Sequence, residues 1–94
     1  MNEELTRALE LMIKHLNETF GNENITYTYS VLRVRVRILE KIYGQTCCYG
    51  FIDFQGNILK ADGWNQPAKH IRGNLFSNNW KNSFQKHSVI YLTR

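Results

Sequence analysis

Leu32-Arg33-Val34-Arg35-Val36-Arg37-Ile38 alternates aliphatic residues with arginines, and this stretch decides how the chain is read. Successive side chains of a β-strand point to opposite faces of the sheet. The alternation therefore predicts a strand with Leu32, Val34, Val36 and Ile38 on an apolar face and Arg33, Arg35 and Arg37 on the back. Guanidinium groups on every second residue stand roughly 6–7 Å apart, close to the phosphate spacing of a nucleic-acid strand. Taken by itself the pattern fits a strand with a charged solvent face, a common protection of sheet edges. The distribution of the remaining charge favours a more specific reading.

The 94 residues carry a net charge of +4, unevenly spread. Up to Glu23 there are five acids (Glu3, Glu4, Glu10, Glu18, Glu23) against two bases (Arg7, Lys14), a net of −3. From Asn24 onward three acids (Glu40, Asp53, Asp62) face ten bases, a net of +7, and no acid follows Asp62. Such segregation predicts a polyanionic partner for the basic part, and the acidic start is equally a plain solvated helix face.

Working outward from the arginine strand, the fold takes shape. Asn2 is placed to cap a helix from Glu3 to Phe20, with Glu3 and Glu4 at the positive end of its dipole. Leu5, Ala8, Leu9, Met12, Leu16 and Phe20 recur at helical spacing, and Gly21-Asn22 stops the helix. Ile25-Thr26-Tyr27-Thr28-Tyr29 alternates with odd positions apolar, whereas from Leu32 the even positions are apolar. That phase slip near Ser30-Val31 predicts a bulge or a break between two strands. The arginine strand runs to about Ile42, Tyr43-Gly44-Gln45 turns, and Thr46 to Phe54 returns. Gln55-Gly56-Asn57 is hairpin chemistry leading into Ile58-Leu59-Lys60-Ala61. Asp62-Gly63 breaks this strand. Pro67 suits the first turn of a short helix with Ala68, Ile71 and Leu75 on one side. Trp80 to Lys86 reads as a weak helical turn and Ser88 to Thr93 as a closing strand. The expectation is a single α+β domain over residues 1–94: an N-terminal amphipathic helix on a four- to five-stranded antiparallel sheet, with a short helix after Pro67.

The segment from Lys60 to Asn74 concentrates an indole, amides, cations and an imidazole around the expected helix start. A helix N-terminus presents free N–H groups to an anion. Trp64 would stack on a base while Lys69 and Arg72 neutralise phosphate; the alternative is a Trp that covers one end of the sheet. The pattern I/V-D-x-x-G-x-I-x-K, here Ile52 to Lys60, followed by W-x-x-P-A-K-x-x-R-G-N, here Trp64 to Asn74, resembles small proteins of tailed bacteriophages. The match covers about a quarter of the chain. It implies viral origin and a role inside an infected cell, and it supplies no mechanism.

Catalytic patterns are missing from the sequence. His15, His70 and His87 fit no metal spacing, and no zinc-protease, nucleophile-elbow or phosphate-loop motif occurs. Cys47 and Cys48 are adjacent, so on a strand their thiols face opposite ways and neither share a metal nor build a disulfide framework. No cofactor and no metal are expected. With no apolar leader or span, the expected compartment is the cytoplasm, that of the host cell if the protein is viral, without membrane association.

The preferred expectation is a non-enzymatic accessory protein that binds nucleic acid, single strands favoured, through Arg33, Arg35, Arg37, Lys60, Trp64, Lys69, His70, Arg72, Trp80 and Lys81. Two rivals are an anti-defence inhibitor that binds a host protein and a capture protein for a nucleotide signal. A small sheet with an open edge also leaves room for a homodimer.

Overall fold

A computed structural model describes residues 2–91. Helix α1 spans Glu3–Phe20 and is followed by strands β1 (Ile25–Val31), β2 (Arg35–Ile42), β3 (Gln45–Asp53), β4 (Asn57–Ala61) and β5 (Pro67–Asn74). These strands form one antiparallel sheet in the order β1-β2-β3-β4-β5. A single 3-10 turn, Trp80–Ser83, leads into a miniature hairpin of β6 (Phe84–Gln85) and β7 (Ser88–Val89). The architecture is α+β.

The Asn2 side chain caps α1, its Oδ1 accepting from the Leu5 N–H at 2.7 Å. Leu5, Leu9, Met12 and Leu16 are buried along one stripe, against Tyr27, Val36, Ile38, Tyr49, Ile52 and Ile58 from the sheet. A helix of this length is marginal by itself in water. Burying four such side chains contributes at most about 6–12 kcal/mol, so packing on the sheet is what holds α1. Leu75, Phe84 and Val89 complete the same core from the C-terminal segment.

Of the two expected origins of the phase slip, a bulge or a break between two strands, the structure shows the break: β1 ends at Val31, β2 begins at Arg35, and the two form a hairpin. Val31 pairs with Val36, so every odd residue of β1 faces an even residue of β2. Leu32 to Val34 form the connection, closed by the Leu32 N–H donating to the Arg35 carbonyl at 2.8 Å. The arginine strand is thus shorter than its alternation predicts. Val34 is exposed rather than part of the apolar face, and Arg33 sits in the turn.

A second irregularity is a bulge in β3. Ile38 pairs with Gly50 but Leu39 pairs with Cys48, which leaves Tyr49 as the extra residue, its ring in the core. The two-residue Tyr43-Gly44 turn has positive φ at both positions (48° and 82°), as a tight hairpin of this twist requires.

The expected helix after Pro67 is not formed: Pro67–Asn74 is strand β5, paired with β4. Proline opens an edge strand without loss, because its missing N–H points away from the ladder. Without β5, strand β4 would be an edge with unpaired backbone groups, whereas a helix this short has little stability of its own. The Trp80 to Lys86 helical turn appears as the shorter 3-10 turn, and the closing strand is confined to Ser88–Val89; Leu92 and Thr93 lie outside the described residues.

Candidate functional site

The sheet has two unlike faces. One lies under α1 and the C-terminal segment. The other is open, and alternation assigns to it Thr26 and Thr28 of β1, Arg35, Arg37, Leu39 and Lys41 of β2, Thr46, Cys48, Phe51 and Asp53 of β3, Asp53 standing opposite Arg35, and Leu59 of β4.

Arg37 is the centre of this open face. It is only 8% exposed, yet its guanidinium is fully engaged. Nε donates to the Trp64 carbonyl at 2.9 Å and Nη2 donates to the Asn65 Oδ1. The same guanidinium lies 4.3 Å from the centre of the Trp64 ring and 6.0 Å from that of Phe51. The Arg35 guanidinium lies 5.9 Å from the same phenyl ring centre. The β4–β5 loop, residues 62–66, therefore folds back over the sheet and stacks an indole on an arginine that itself rests on a buried phenyl ring. Trp64 remains 48% exposed. A planar ring backed by a cation and open to solvent can take a second planar group on its free side.

Arg37 also brings its charge next to Cys48. Burial pushes the Cys48 thiol above its ordinary pKa, and the nearby Arg37 guanidinium only partly offsets this. Further along β2, Lys41 borders a cavity of about 370 Å³ with Thr26 and the exposed Tyr43. One acid, Glu23, also lines it.

The structure divides the ten expected site residues among several places. Arg35, Arg37 and Trp64 come together on the open face, with Arg33 at its end in the β1–β2 turn. Lys69 and His70 are exposed on edge strand β5, away from any helix N-terminus, so the anion site expected from the helix dipole does not exist there. Lys60 points to the opposite side. It pairs with Gly50, over which Val89 packs, and its Nζ lies 4.4 Å from the Tyr91 ring centre. Arg72 serves the fold: Nη1 donates to the Ile90 carbonyl and Nε to the His70 carbonyl, both at 3.0 Å. Trp80 and Lys81 sit beside α1, where Trp80 meets His15 edge-on at 5.4 Å. A single surface holding all ten is thus not formed.

Phe51, Asn65 and Lys41 were missed as members of the site. Phe51 and Lys41 were readable from the strand alternation once the register was known. Asn65 had no signal beyond its place beside Trp64.

A second cluster lies at the core side. Glu40 is 2% exposed, and its Oε2 accepts from the Tyr27 hydroxyl at 2.6 Å and sits 3.0 Å from the His87 Nδ1. Burial and this carboxylate push the Tyr27 hydroxyl pKa far up, so it stays a donor. His87 adopts φ 72° to make the contact, which fastens the β6–β7 turn to β2. Among the described residues no group of three or more His, Cys, Asp or Glu is placed to hold a metal ion. No helix among them is long and apolar enough to cross a membrane.

The chain belongs to a family of unknown function, DUF7717, whose profile matches residues 1–89. No curated protein and no solved structure matches it.

Proposed function

We propose that this protein is a non-enzymatic nucleic-acid-binding protein that lays a single strand across the open face of its sheet. Trp64, backed by Arg37, is the platform for one base. Arg35 and Arg33 at one end and Lys41 at the other contact phosphates. Lys69 on the neighbouring edge extends the cationic border.

The observation that carries this reading is the Trp64–Arg37–Phe51–Arg35 stack on a face that no helix covers. The charge pattern supports it. Among the described residues the carboxylate pairs within 4 Å are Arg7–Glu3 and Lys14–Glu18 within α1, and His87–Glu40. None of the sheet cations is neutralised by the acids of the helix, which lies on the other side. A flat face with aromatic rings suits unstacked bases, and it offers no protruding helix for a duplex groove. In this reading the setting is the cytoplasm of a phage-infected cell, as the resemblance of the hairpin segment implies.

The test is binding of a fluorescent single-stranded oligonucleotide over a salt series. Each neutralised phosphate contributes about −0.7 to the slope of log K against log salt. Replacing Arg33 and Arg35 together by Gln is expected to flatten the slope by about 1.4. Trp64→Ala is expected to weaken binding by roughly 1–3 kcal/mol with the slope unchanged. An unchanged slope in the double variant sinks the proposal.

A further inference from the structure

On the far side of the molecule, two cavities run together along α1. The larger, about 440 Å³, lies between α1 and the 3-10 turn and is lined by Lys14, His15, Thr19 and Lys81. The smaller, about 210 Å³, is lined largely by Ala8, Leu75 and Phe76. Leu11 and Trp80 border both, so they form one groove with an apolar end and a polar end. Leu11 is 59% exposed and Phe76 47%, large apolar side chains that nothing in the fold covers.

Charge in the groove is as uneven as its polarity. At the apolar end Arg7 and Glu3 form an exposed pair at 3.4 Å, and Glu4 stands at the rim. At the polar end Lys14 and Glu18 are 3.9 Å apart and both well exposed, a weak pair. Lys81 has no carboxylate partner among the described residues; it lies 5.6 Å from the Trp80 ring centre. Burial lowers the His15 pKa most, and Lys81 lowers it further than Glu18 raises it. The local field at this end is therefore positive, and a single extra carboxylate would meet Lys81 and Lys14 with His15 alongside.

We propose that this groove docks an amphipathic segment of a partner protein, with one large apolar side chain in the Leu11–Phe76–Trp80 end and an acidic residue at Lys81. The apolar cavity has the size of one large side chain, and its Leu11 stands one turn of α1 from Lys14 and His15 at the other end, the spacing of neighbours on one helix face. A nucleic-acid strand fits poorly, because Glu4 and Glu18 would each oppose a phosphate. This surface is separate from the open sheet face, and the two bind independently.

The experiment is selection of a random displayed peptide library on the intact protein, followed by fluorescence anisotropy with the enriched peptide. The expected consensus is a large apolar residue with Asp or Glu three or four positions away. Lys81→Glu is expected to weaken that peptide about tenfold, and Lys81→Gln by less. Exchanging the peptide acid for its amide should weaken binding to the wild type but not to Lys81→Glu. Leu11→Asp should abolish binding, and Trp64→Ala should leave it intact while reducing oligonucleotide affinity. No enrichment, a consensus without an acid, or indifference to Lys81→Glu overturns the proposal. So does competition by an oligonucleotide, or a homodimer in sedimentation that Leu11→Asp dissociates.

Discussion

The amide of Asn17 imitates a strand. Its Nδ2 donates to the Tyr27 carbonyl at 3.0 Å, and its Oδ1 accepts from the Tyr27 N–H at 2.8 Å. Strand β1 is a sheet edge, so these two groups would otherwise be open for pairing with another chain. Asn17→Asp keeps the acceptor but turns an oxygen toward the Tyr27 carbonyl in place of a donor. At neutral pH one hydrogen bond is lost and two partial negative charges are opposed, a cost of about 2–3 kcal/mol. For a domain of this size that is a drop in Tm of roughly 10–20 °C. The introduced carboxyl should have a folded-state pKa above its unfolded value of about 3.9. Below that folded pKa it is protonated, donates again, and the folded state binds more protons than the unfolded one. The deficit relative to the wild type should therefore shrink as pH falls through the folded pKa and be full at neutral pH. Urea unfolding of both proteins between about pH 4 and pH 7 measures it. A deficit that is equal at both ends, or under about 0.5 kcal/mol throughout, refutes the edge-clamp reasoning. Asn17→Leu removes both contacts and should cost a similar amount with no pH dependence, while promoting concentration-dependent association seen in sedimentation.

Three other outcomes are expected. A Cβ at Gly73 would sit 2.0 Å from the Ser83 Oγ, so Gly73→Ala should lose about 1–3 kcal/mol, and Ser83→Gly in the same chain should recover part of it; additive losses would show that the two positions do not touch. Asp53→Ala removes the acceptor for the Gln55 and Asn57 N–H groups and for the Asn57 side chain, all at 2.9 Å, and should cost about 1–3 kcal/mol by urea unfolding; a loss within experimental error would mean that Gly56, at φ 87°, sets the turn unaided. Cys47 is exposed, whereas Cys48 is half-buried with its thiol pushed up by burial, so a thiolate-selective reagent near pH 8 should label Cys47 at least about tenfold faster, with the gap narrowing as pH rises. Equal rates at all pH values would contradict the burial of the Cys48 thiol.

What could be read from the chain, and what could not, follows from the range of the forces involved. Helix α1 was legible to the residue because its stop signals and its apolar spacing are local and agree. Strands β1 and β2 were legible from alternation. Strands β3 and β4, buried without a period of two, were legible from the turn residues Tyr43-Gly44-Gln45, Gln55-Gly56-Asn57 and Asp62-Gly63 that bound them. The slip in the alternation was visible too, and it left two meanings open, a bulge or the break between two strands that the structure shows. A hairpin pairing Val31 with Val36 and a bulge within one strand produce the same slip, and only the partner strand distinguishes them. Strand β5 was misread because its helical spacing of Ala68, Ile71 and Leu75 is real, while the competing force, the unpaired edge of β4, is not local at all. The arginines show the same limit. Alternation gave Arg35 and Arg37 a common face, but that Arg37 would be capped by a loop 27 residues away depended on contacts no periodicity encodes.

The segment from Ile52 to Asn74 separates into two kinds of residue once its contacts are known. Asp53, Gly56 and Asn57 build the β3–β4 turn, and Asn74 ties that turn to β5 through the Gln55 carbonyl and the Asn57 Oδ1. Gly73 leaves room for Ser83, and Arg72 holds the C-terminal segment through Ile90. These positions serve the fold, and a chain would keep them whatever it binds. Trp64 and Lys69 are different. Trp64 keeps about half of its surface exposed although it stacks over Arg37, and Lys69 has no carboxylate within 4 Å among the described residues. A motif that is mostly scaffold therefore carries two side chains whose cost in exposed apolar area and unpaired charge is not offset within the chain. That imbalance, set beside Arg35 and Lys41 on the same face, is the physical ground for proposing a binding surface on the open sheet and not at the β3–β4 turn.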